Sequence, residues 1–345
     1  MKAAVYYGPH DTRLEEVEDP RCPTGGLVLK VHFVGICGSD VRTHYDGSSK
    51  IDPPMILGHE VAGEVVAVGQ GHSTYLLGDR LAMAPGIFCN ECYYCQSGMT
   101  TMCENLVELA FQYPGGFAEQ MPIPAIAFER GRIVKIPDEL SYKHAALCEA
   151  CSSCIMAMER AHVCAGETVA IFGAGPIGCI DIQIARARGA STVVIIDIAA
   201  ERLDMAAAFG ADLYIDAGKE DPVAKVRQIT GGLGADKAII AAPAPAAWPQ
   251  AVEIVRRRGT VVAFGGLPKE NSFVSLDGNL IHYRDITLMG HYGQERRHVK
   301  QALEMIFEGQ ITAEKLITNV LPLDDTIKGF ALMKDKKALK VLLKP

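Results

Sequence analysis

The sequence predicts an α/β fold in which a doubly wound parallel sheet interrupts a second, mostly β domain. Residues 1–151 contain short valine-rich runs broken by glycine and proline, such as LVLKVHFVG and VAGEVVAVG, which are typical of a small barrel or sandwich. Between residues 152 and 289, apolar runs alternate with helix-like segments, which is the alternation of a doubly wound sheet. Residues 290–345 offer two helices and one extended piece. This is too little for a core of its own, so we expect the segment to return to the first domain.

The stretch 168–197, TVAIFGAGPIGCIDIQIARARGASTVVIID, predicts a strand, a glycine turn, a helix and a second strand. Gly173, Gly175 and Gly178 form a G-x-G-x-x-G motif, in which the glycines permit a tight turn, close approach of a pyrophosphate and helix–strand packing. The helix N-terminus attracts the phosphates through its free N–H groups and its dipole. We therefore expect a bound dinucleotide. The residues of the turn that we expect to contact it are Gly173, Gly175, Pro176, Ile177 and Gly178.

Asp197 ends the second strand of this unit, where an acid accepts hydrogen bonds from the ribose hydroxyls of a dinucleotide. A carboxylate at this position would repel a 2′-phosphate. The sequence therefore favours NAD over NADP.

Composition limits the remaining classes of function. The 345 residues carry a net charge of -7 and no dense basic run, which argues against a nucleic-acid partner. Neither an uninterrupted apolar stretch of membrane-spanning length nor a secretion signal is evident, so we expect a cytoplasmic protein with no membrane partner. Eleven cysteines, four of them within fifteen residues, favour bound metal over disulfides.

The four clustered cysteines are spaced C-x2-C-x2-C-x7-C within a lobe at about 86–105, and they are Cys89, Cys92, Cys95 and Cys103. Four thiolates close a tetrahedral shell, which predicts a structural zinc site. An iron–sulfur cluster is the main alternative, but the proline that usually follows its fourth cysteine is absent.

A second set of potential metal ligands is scattered over three segments. GICGSD contains Cys37, Ser39 and Asp40, LGHE contains His59 and Glu60, and LCEACSS contains Glu149. Spacing alone does not assemble these segments into one site.

The order and separation of these motifs, with GGFAE at 115–119 and GAGPIG, resemble the zinc-dependent medium-chain dehydrogenase/reductase superfamily. The resemblance spans almost the whole chain. Because Glu60 directly follows His59 and Glu149 comes later, the chain most resembles the polyol (sorbitol) and threonine dehydrogenase branch. This resemblance implies a GroES-like β domain interrupted by a Rossmann domain.

The resemblance also implies a catalytic zinc held by Cys37, His59 and Glu60, with Glu149 or a water as an exchangeable fourth ligand. Zinc with an open position lowers the pKa of an alcohol, and the nicotinamide accepts the hydride. Ala150 stands where the family usually has proline.

Proton release departs from the family pattern. Ser39 matches the relay hydroxyl, but the histidine that usually continues the relay is replaced by Arg42, whose guanidinium is a poor base at neutral pH. His44, two residues further on, is a candidate substitute, as is water. Arg42 could instead bind substrate or cofactor phosphate, or be a solvated surface charge.

Further cofactor and substrate residues follow from the same resemblance. Arg202 stands where the branch often has an arginine along the adenosine, although a helix-surface charge is equally consistent. Gly265 ends the fifth strand beside the expected nicotinamide pocket. In the substrate region, GHYGQE supplies His291 and Tyr292 but lacks the arginine that polyol dehydrogenases have there.

The function predicted is an NAD-dependent oxidoreductase of a secondary alcohol of the polyol or sugar type, with one catalytic and one structural zinc. A threonine-type dehydrogenase of 3-hydroxy amino acids is the alternative. A non-catalytic NAD-binding protein of the same fold is disfavoured because the metal ligands are present. The branch favours a homo-tetramer, with a dimer as the lesser option.

Overall fold

The computed structural model describes residues 1–72 and 74–345. Its strands, numbered β1 to β18, are Lys2–Gly8, Asp11–Glu16, Leu27–Gly35, Met55–Ile56, Glu60–Val68, Arg80–Ala84, Gly86–Ile87, Val107–Glu108, Gln120–Ile123, Arg132–Lys135, Thr168–Phe172, Thr192–Asp197, Leu213–Asp216, Ala235–Ile240, Val255–Ala263, Thr287–Gly290, Ile317–Pro322 and Lys340–Lys344. Its helices, numbered α1 to α13, are Gly38–Asp46, Tyr93–Gln96, Ile126–Arg130, Tyr142–Ala145, Cys148–Arg160, Pro176–Ala187, Ala200–Ala206, Pro222–Ile229, Ala247–Ile254, Gly278–Arg284, Arg296–Phe307, Ala313–Leu316 and Thr326–Lys334. The chain divides into two compact units, Met1–Ser152 with Gly293–Pro345, and Ser153–Tyr292.

The first unit is built on a mixed sheet in the order β10-β6-β5-β3-β18-β17, with β9 also paired to β3. A three-stranded sheet β2-β1-β4 and a two-stranded ribbon β7-β8 accompany it. Its core includes the fully buried rings of Tyr6, Phe117 and Phe330. This unit is the GroES-like β domain that the sequence predicts.

The C-terminal strand β18 is an element that the sequence analysis did not predict. It pairs antiparallel with β3, and Leu342 lies opposite Gly35. The apolar run between Lys340 and Lys344 is only three residues long, too short to distinguish a strand from a loop by its pattern. Its partners, β3 and β17, lie elsewhere in the chain and determine its conformation.

The second unit confirms the predicted doubly wound sheet. Its six strands run in the order β13-β12-β11-β14-β15-β16, and every adjacent pair is parallel. All five residues of β11 are buried, as expected of a central strand covered by helices on both faces. Reversal of strand order between β11 and β14 opens a crevice at the carboxyl ends of these strands, where ligands bind in such folds.

Among the described residues, no helix is both long enough and apolar enough to cross a membrane.

A buried acid on α6 gives a prediction about stability. The side chain of Asp181 is fully buried beside the thiol of Cys154, and burial raises its pKa well above the usual range. The folded state therefore binds this proton more tightly than the unfolded state, in which the pKa is about 4. The resulting stability is complete below about pH 4 and is lost as the pH rises toward the raised pKa.

We expect Asp181→Asn to raise the free energy of unfolding by about 1–3 kcal/mol at pH 8, with a smaller gain at pH 5. Urea denaturation of both proteins at the two pH values measures this. The same substitution at exposed Asp204 of α7 is the matched control and should change neither value. If the free energy of unfolding depends on pH equally in the native protein and in Asp181→Asn, the carboxyl of Asp181 is not held protonated in the folded state.

Candidate metal centres and dinucleotide site

The first unit brings Cys37, His59 and Glu60 together. Their potential ligand atoms all lie within 4.8 Å of one another. The strand register explains this, because Glu60 at the start of β5 lies opposite Gly35 at the end of β3, two residues before Cys37. A Cβ atom on residue 35 would lie 1.9 Å from a carboxylate oxygen of Glu60, so glycine is needed there. A thiol, an imidazole and a carboxylate converging in buried surroundings form a donor set that suits zinc.

Asp40, which the sequence analysis named without assigning it a role, lies beside this cluster. Its buried carboxylate accepts a hydrogen bond of 2.9 Å from the backbone N–H of Cys37 and lies 3.7 Å from Nδ1 of His59. Burial alone would lower the pKa of His59, but the charges of Asp40 and Cys37 outweigh it and raise that pKa well above its usual value. Nδ1 of His59 has no hydrogen-bond partner among the described residues, so Asp40 acts on this imidazole through its charge.

Lys340 also belongs to this site, and the sequence analysis missed it. Its Nζ atom donates hydrogen bonds of 2.7 and 2.8 Å to the two carboxylate oxygens of Glu60. Burial opposes the charge of Lys340, but Glu60 and Cys37 outweigh burial and raise the pKa of Lys340. Lys340 is 280 positions from Glu60 along the chain, and no local pattern connects them.

Glu149 lies outside the group of three ligands that the described residues form around Cys37. It is buried, and its carboxylate accepts a hydrogen bond of 2.8 Å from Nε2 of Gln294. Burial raises the pKa of Glu149. Ala150, at the family's proline position, is buried in the first turn of α5. Glu149 is thus hydrogen-bonded to an amide and lies outside the 4.8 Å group, but the charges of His59 and Glu60 still act on its pKa.

Helix α1 carries the three residues considered for proton release. The hydroxyl oxygen of Ser39 is buried and has no hydrogen-bond partner among the described residues. Arg42 is exposed. His44 is buried, with Nδ1 2.9 Å from the hydroxyl of Thr12, and burial lowers its pKa. Ser39 thus has an unused polar atom, whereas one nitrogen of His44 is already engaged.

The four clustered cysteines also converge, and their sulfurs lie within 4.8 Å of one another. Backbone N–H groups of Glu91 and Cys92 point at the sulfur of Cys89 and lower its pKa to about 6. Burial instead raises the pKa of Cys95 to about 12. Four sulfurs at this separation can close a tetrahedral shell and leave no open position, as in structural zinc sites.

In the second unit, the glycine turn has a conformation that other residues would not tolerate. Gly173 has a φ of 110°, in the region that favours glycine. A Cβ atom on Gly178 would lie 1.9 Å from the carbonyl oxygen of Gly173, so glycine permits the close helix–strand packing. Pro176 occupies the first turn of α6, and Ile177 follows it. A Cβ atom on Gly175 would have its nearest neighbour 3.8 Å away, at the guanidinium of Arg202, so protein atoms do not fill this side of the turn.

Asp197 and Arg202 lie beside this turn. The carboxylate of Asp197, at the end of β12, accepts hydrogen bonds from the N–H groups of Ala174 (2.7 Å) and Ala199 (2.9 Å). Arg202 is 7% exposed, and its Nη1 atom is buried without a hydrogen-bond partner in the described part of the chain. Burial lowers the pKa of Arg202, although Asp197 opposes this effect. A buried, unpaired guanidinium nitrogen beside an open glycine turn fits a ligand with oxygen acceptors, such as a dinucleotide.

The remaining residues of the predicted site follow the last two strands of this sheet, β15 and β16. Gly265 follows β15, and a Cβ atom there would lie 3.1 Å from the backbone of Ala242. His291 follows β16, with Nε2 3.1 Å from the hydroxyl of Ser153 and its ring stacked on Phe264. Tyr292 is 45% exposed.

Two family models match the chain. Residues 23–138 match the alcohol dehydrogenase GroES-like domain, and residues 176–308 match the zinc-binding dehydrogenase domain.

Relatives match over nearly the whole length of the chain. It is 33% identical to sorbitol dehydrogenase of Bacillus subtilis (strain 168), over 100% of this chain and 97% of the relative. It is 31% identical to L-threonine 3-dehydrogenase of Idiomarina loihiensis, over 96% and 95% of the two chains. A solved zinc-binding dehydrogenase of Sinorhizobium meliloti 1021, bound to NADP, superposes with a TM-score of 0.93 at 29% identity and covers 100% of this chain and 99% of its own.

These matches confirm the resemblance seen in the motifs. The chain belongs to the zinc-dependent alcohol dehydrogenase family and, like its polyol and threonine dehydrogenase relatives, is an oxidoreductase.

Proposed function

We propose that the protein transfers a hydride between NAD and a secondary alcohol of the polyol or sugar type, with zinc at Cys37, His59 and Glu60. The convergence of these three side chains carries the proposal. When bound, zinc supplies a Lewis acid and NAD supplies the hydride acceptor. Glu149 or water serves as an exchangeable fourth ligand.

The surrounding side chains of the first unit then have distinct tasks. The carboxylate of Asp40, 3.7 Å from Nδ1 of His59, is proposed to orient the imidazole through its charge. The buried, unpartnered hydroxyl of Ser39 accepts the proton of the alcohol. Because the guanidinium of Arg42 is a poor base and His44 is bonded to Thr12, we propose that water continues the path from Ser39.

A second zinc is proposed at Cys89, Cys92, Cys95 and Cys103. Their four sulfurs close the coordination shell, so this zinc stabilises the lobe at 86–105 and takes no part in the reaction.

The dinucleotide is proposed to lie on the turn from Gly173 to Gly178. The unpaired nitrogen of Arg202 would bind an oxygen of the adenosine half, and Gly265 would border the nicotinamide. The domain assignment follows: residues 1–151 and 290–345 form the catalytic domain, and residues 152–289 form the NAD-binding domain. The compact units of the structure support this division.

NAD is proposed in preference to NADP because Asp197 places a negative charge at the end of β12. We expect Asp197→Ser to raise the Michaelis constant for NAD about tenfold or more and to lower that for NADP, because charged hydrogen bonds of about 1.5–3 kcal/mol are lost. Initial rates with both cofactors measure this.

Asp216 provides a matched control because it lies opposite Asp197 in the register, at the end of the neighbouring strand β13. Asp216→Ser should leave the ratio of the two Michaelis constants unchanged. A native protein that uses NADP as well as NAD would contradict the role of Asp197, and one relative of known structure binds NADP.

Relatives that act on two substrate classes match the chain at similar identity. One is a sorbitol dehydrogenase and the other a threonine dehydrogenase, so the choice between the classes needs an experiment. NAD reduction across polyols, sugar phosphates and hydroxy amino acids tests the choice. Turnover of polyols and not of threonine supports the proposal, whereas the reverse favours the threonine-type alternative. Absence of turnover on every substrate in zinc-loaded protein would contradict the proposed reaction class.

We further propose a cytoplasmic homo-oligomer, with a tetramer favoured over a dimer. The clustered cysteines support the reducing compartment. Exposed apolar side chains support the association, since Leu288 on the edge strand β16 is 39% exposed and Phe273 is 95% exposed.

A further inference from the structure

Glu60 has one partner of positive charge in this structure and would gain a second from the proposed metal. One is Lys340, whose Nζ atom is bonded to both carboxylate oxygens. The other is the metal that Cys37 and His59 would share with it. The side chains of Lys340 and Glu60 are 4% and 0% exposed, so water does not replace the ammonium group beside Glu60.

The fold itself places this ammonium group against Glu60. Strand β18 lies beside β3, and the Nζ atom of Lys340 also approaches the carbonyl oxygen of Ile36 to 3.4 Å. The carboxylate of Glu60 is packed over Gly35 on the same strand, where no Cβ atom fits. Lys340 and Glu60 are therefore held against one another by the backbone of β3.

We infer that Lys340 is a positioning residue that keeps Glu60 an exchangeable ligand of the metal. This inference rests on the proposed metal site. A carboxylate offers about four lone-pair positions, so the metal can bind Glu60 while Lys340 occupies one position on each oxygen. The ammonium nevertheless draws negative charge from the carboxylate and repels the dication. Glu60 thus binds the metal weakly enough to leave a position for substrate.

A purely structural role for Lys340, neutralising a buried carboxylate, makes a different prediction. In that case the metal-loaded protein would be indifferent to Lys340, because the metal itself neutralises Glu60. The rate of metal release from loaded protein separates the two roles, because this rate depends on how firmly Glu60 holds the metal. The measurement also starts from the folded, loaded state.

The experiment measures zinc transfer from loaded protein to an excess of chelator. We expect release from the Cys37 site to slow about tenfold or more in Lys340→Met, the size of effect that residues behind metal ligands have. Lys340→Gln, which keeps a donor but loses the charge, should act in the same direction and serves if Lys340→Met does not fold. Lys340→Arg should retain native release. Lys344→Met, on the exposed end of β18, is the matched control.

Cobalt substitution reports the coordination directly. With cobalt(II) at the Cys37 site, Lys340→Met should weaken and shift the visible absorption, because Glu60 then binds more fully and the coordination number rises. Subtracting the cobalt spectrum of Cys37→Ser from each spectrum removes the contribution of the four-cysteine site. Both effects must vanish when Glu60→Gln is combined with Lys340→Met, a pair of changes that leaves no buried charge unpaired.

Release and spectra equal to the native values in Lys340→Met, or effects that persist in the Glu60→Gln background, would overturn the role of Lys340. Failure of the metal site itself has another signature. If Cys37 does not bind the metal, Cys37→Ser should bind as much cobalt as the native protein, with Lys340 present or substituted.

Discussion

Cys37→Ser is expected to lower turnover about 10³-fold or more while NAD still binds. A Lewis acid at the reacting oxygen stabilises the transition state by several kcal/mol, and each 1.4 kcal/mol is a factor of ten in rate. Serine leaves His59 and Glu60 in place but removes the thiolate that the proposed zinc site needs. The glycine turn lies in the other compact unit, so its affinity for NAD should persist.

Steady-state rates on the best substrate measure the turnover, and a direct binding titration measures the affinity for NAD. Cys22→Ser is the matched control, because Cys22 lies in the same unit and outside both metal clusters. Turnover within tenfold of native in a Cys37→Ser protein that contains one zinc per chain would exclude Cys37 as a catalytic ligand.

The sequence predicts most reliably those features whose residues lie close together along the chain. Gly173, Gly175 and Gly178 form one turn between a buried strand and its helix, so their spacing alone indicates their packing. Local spacing likewise predicts the four-cysteine cluster. The side chains at Cys37 and His59 meet only because β3 and β5 pair in one register, which required the family resemblance to foresee.

Long-range partners escaped prediction for the same physical reason. Lys340 reaches Glu60 from a strand whose pattern is too short to recognise, and Gln294 reaches Glu149 from 145 positions away along the chain. Asp40 had a local signal, an acid three residues after Cys37 in the first turn of α1. That signal also fits an ordinary helix cap, so burial beside His59 was needed to distinguish the two roles.

Cys92→Ser is expected to destabilise the first unit by about 4 kcal/mol or more, the range in which lost metal sites fall. That corresponds to a melting temperature lower by about 10 °C or more. The reason is the closed sulfur shell: the cysteines lie on the short helix α2 and the turns around it, so bound zinc would supply much of the stability of this segment. Binding must also deprotonate Cys95, whose pKa burial raises to about 12.

Differential scanning calorimetry with zinc analysis of the same samples tests this expectation. Cys164→Ser is the matched control because Cys164 is exposed and lies outside the cluster. If Cys92→Ser melts with the native protein and still carries two zincs per chain, the lobe is not zinc-dependent. If it retains one zinc and loses stability, and the remaining metal is released at the native rate of the Cys37 site, then the two sites differ in role. The four-cysteine site would hold the lobe together, and the site at Cys37, where Lys340 acts, would serve the reaction.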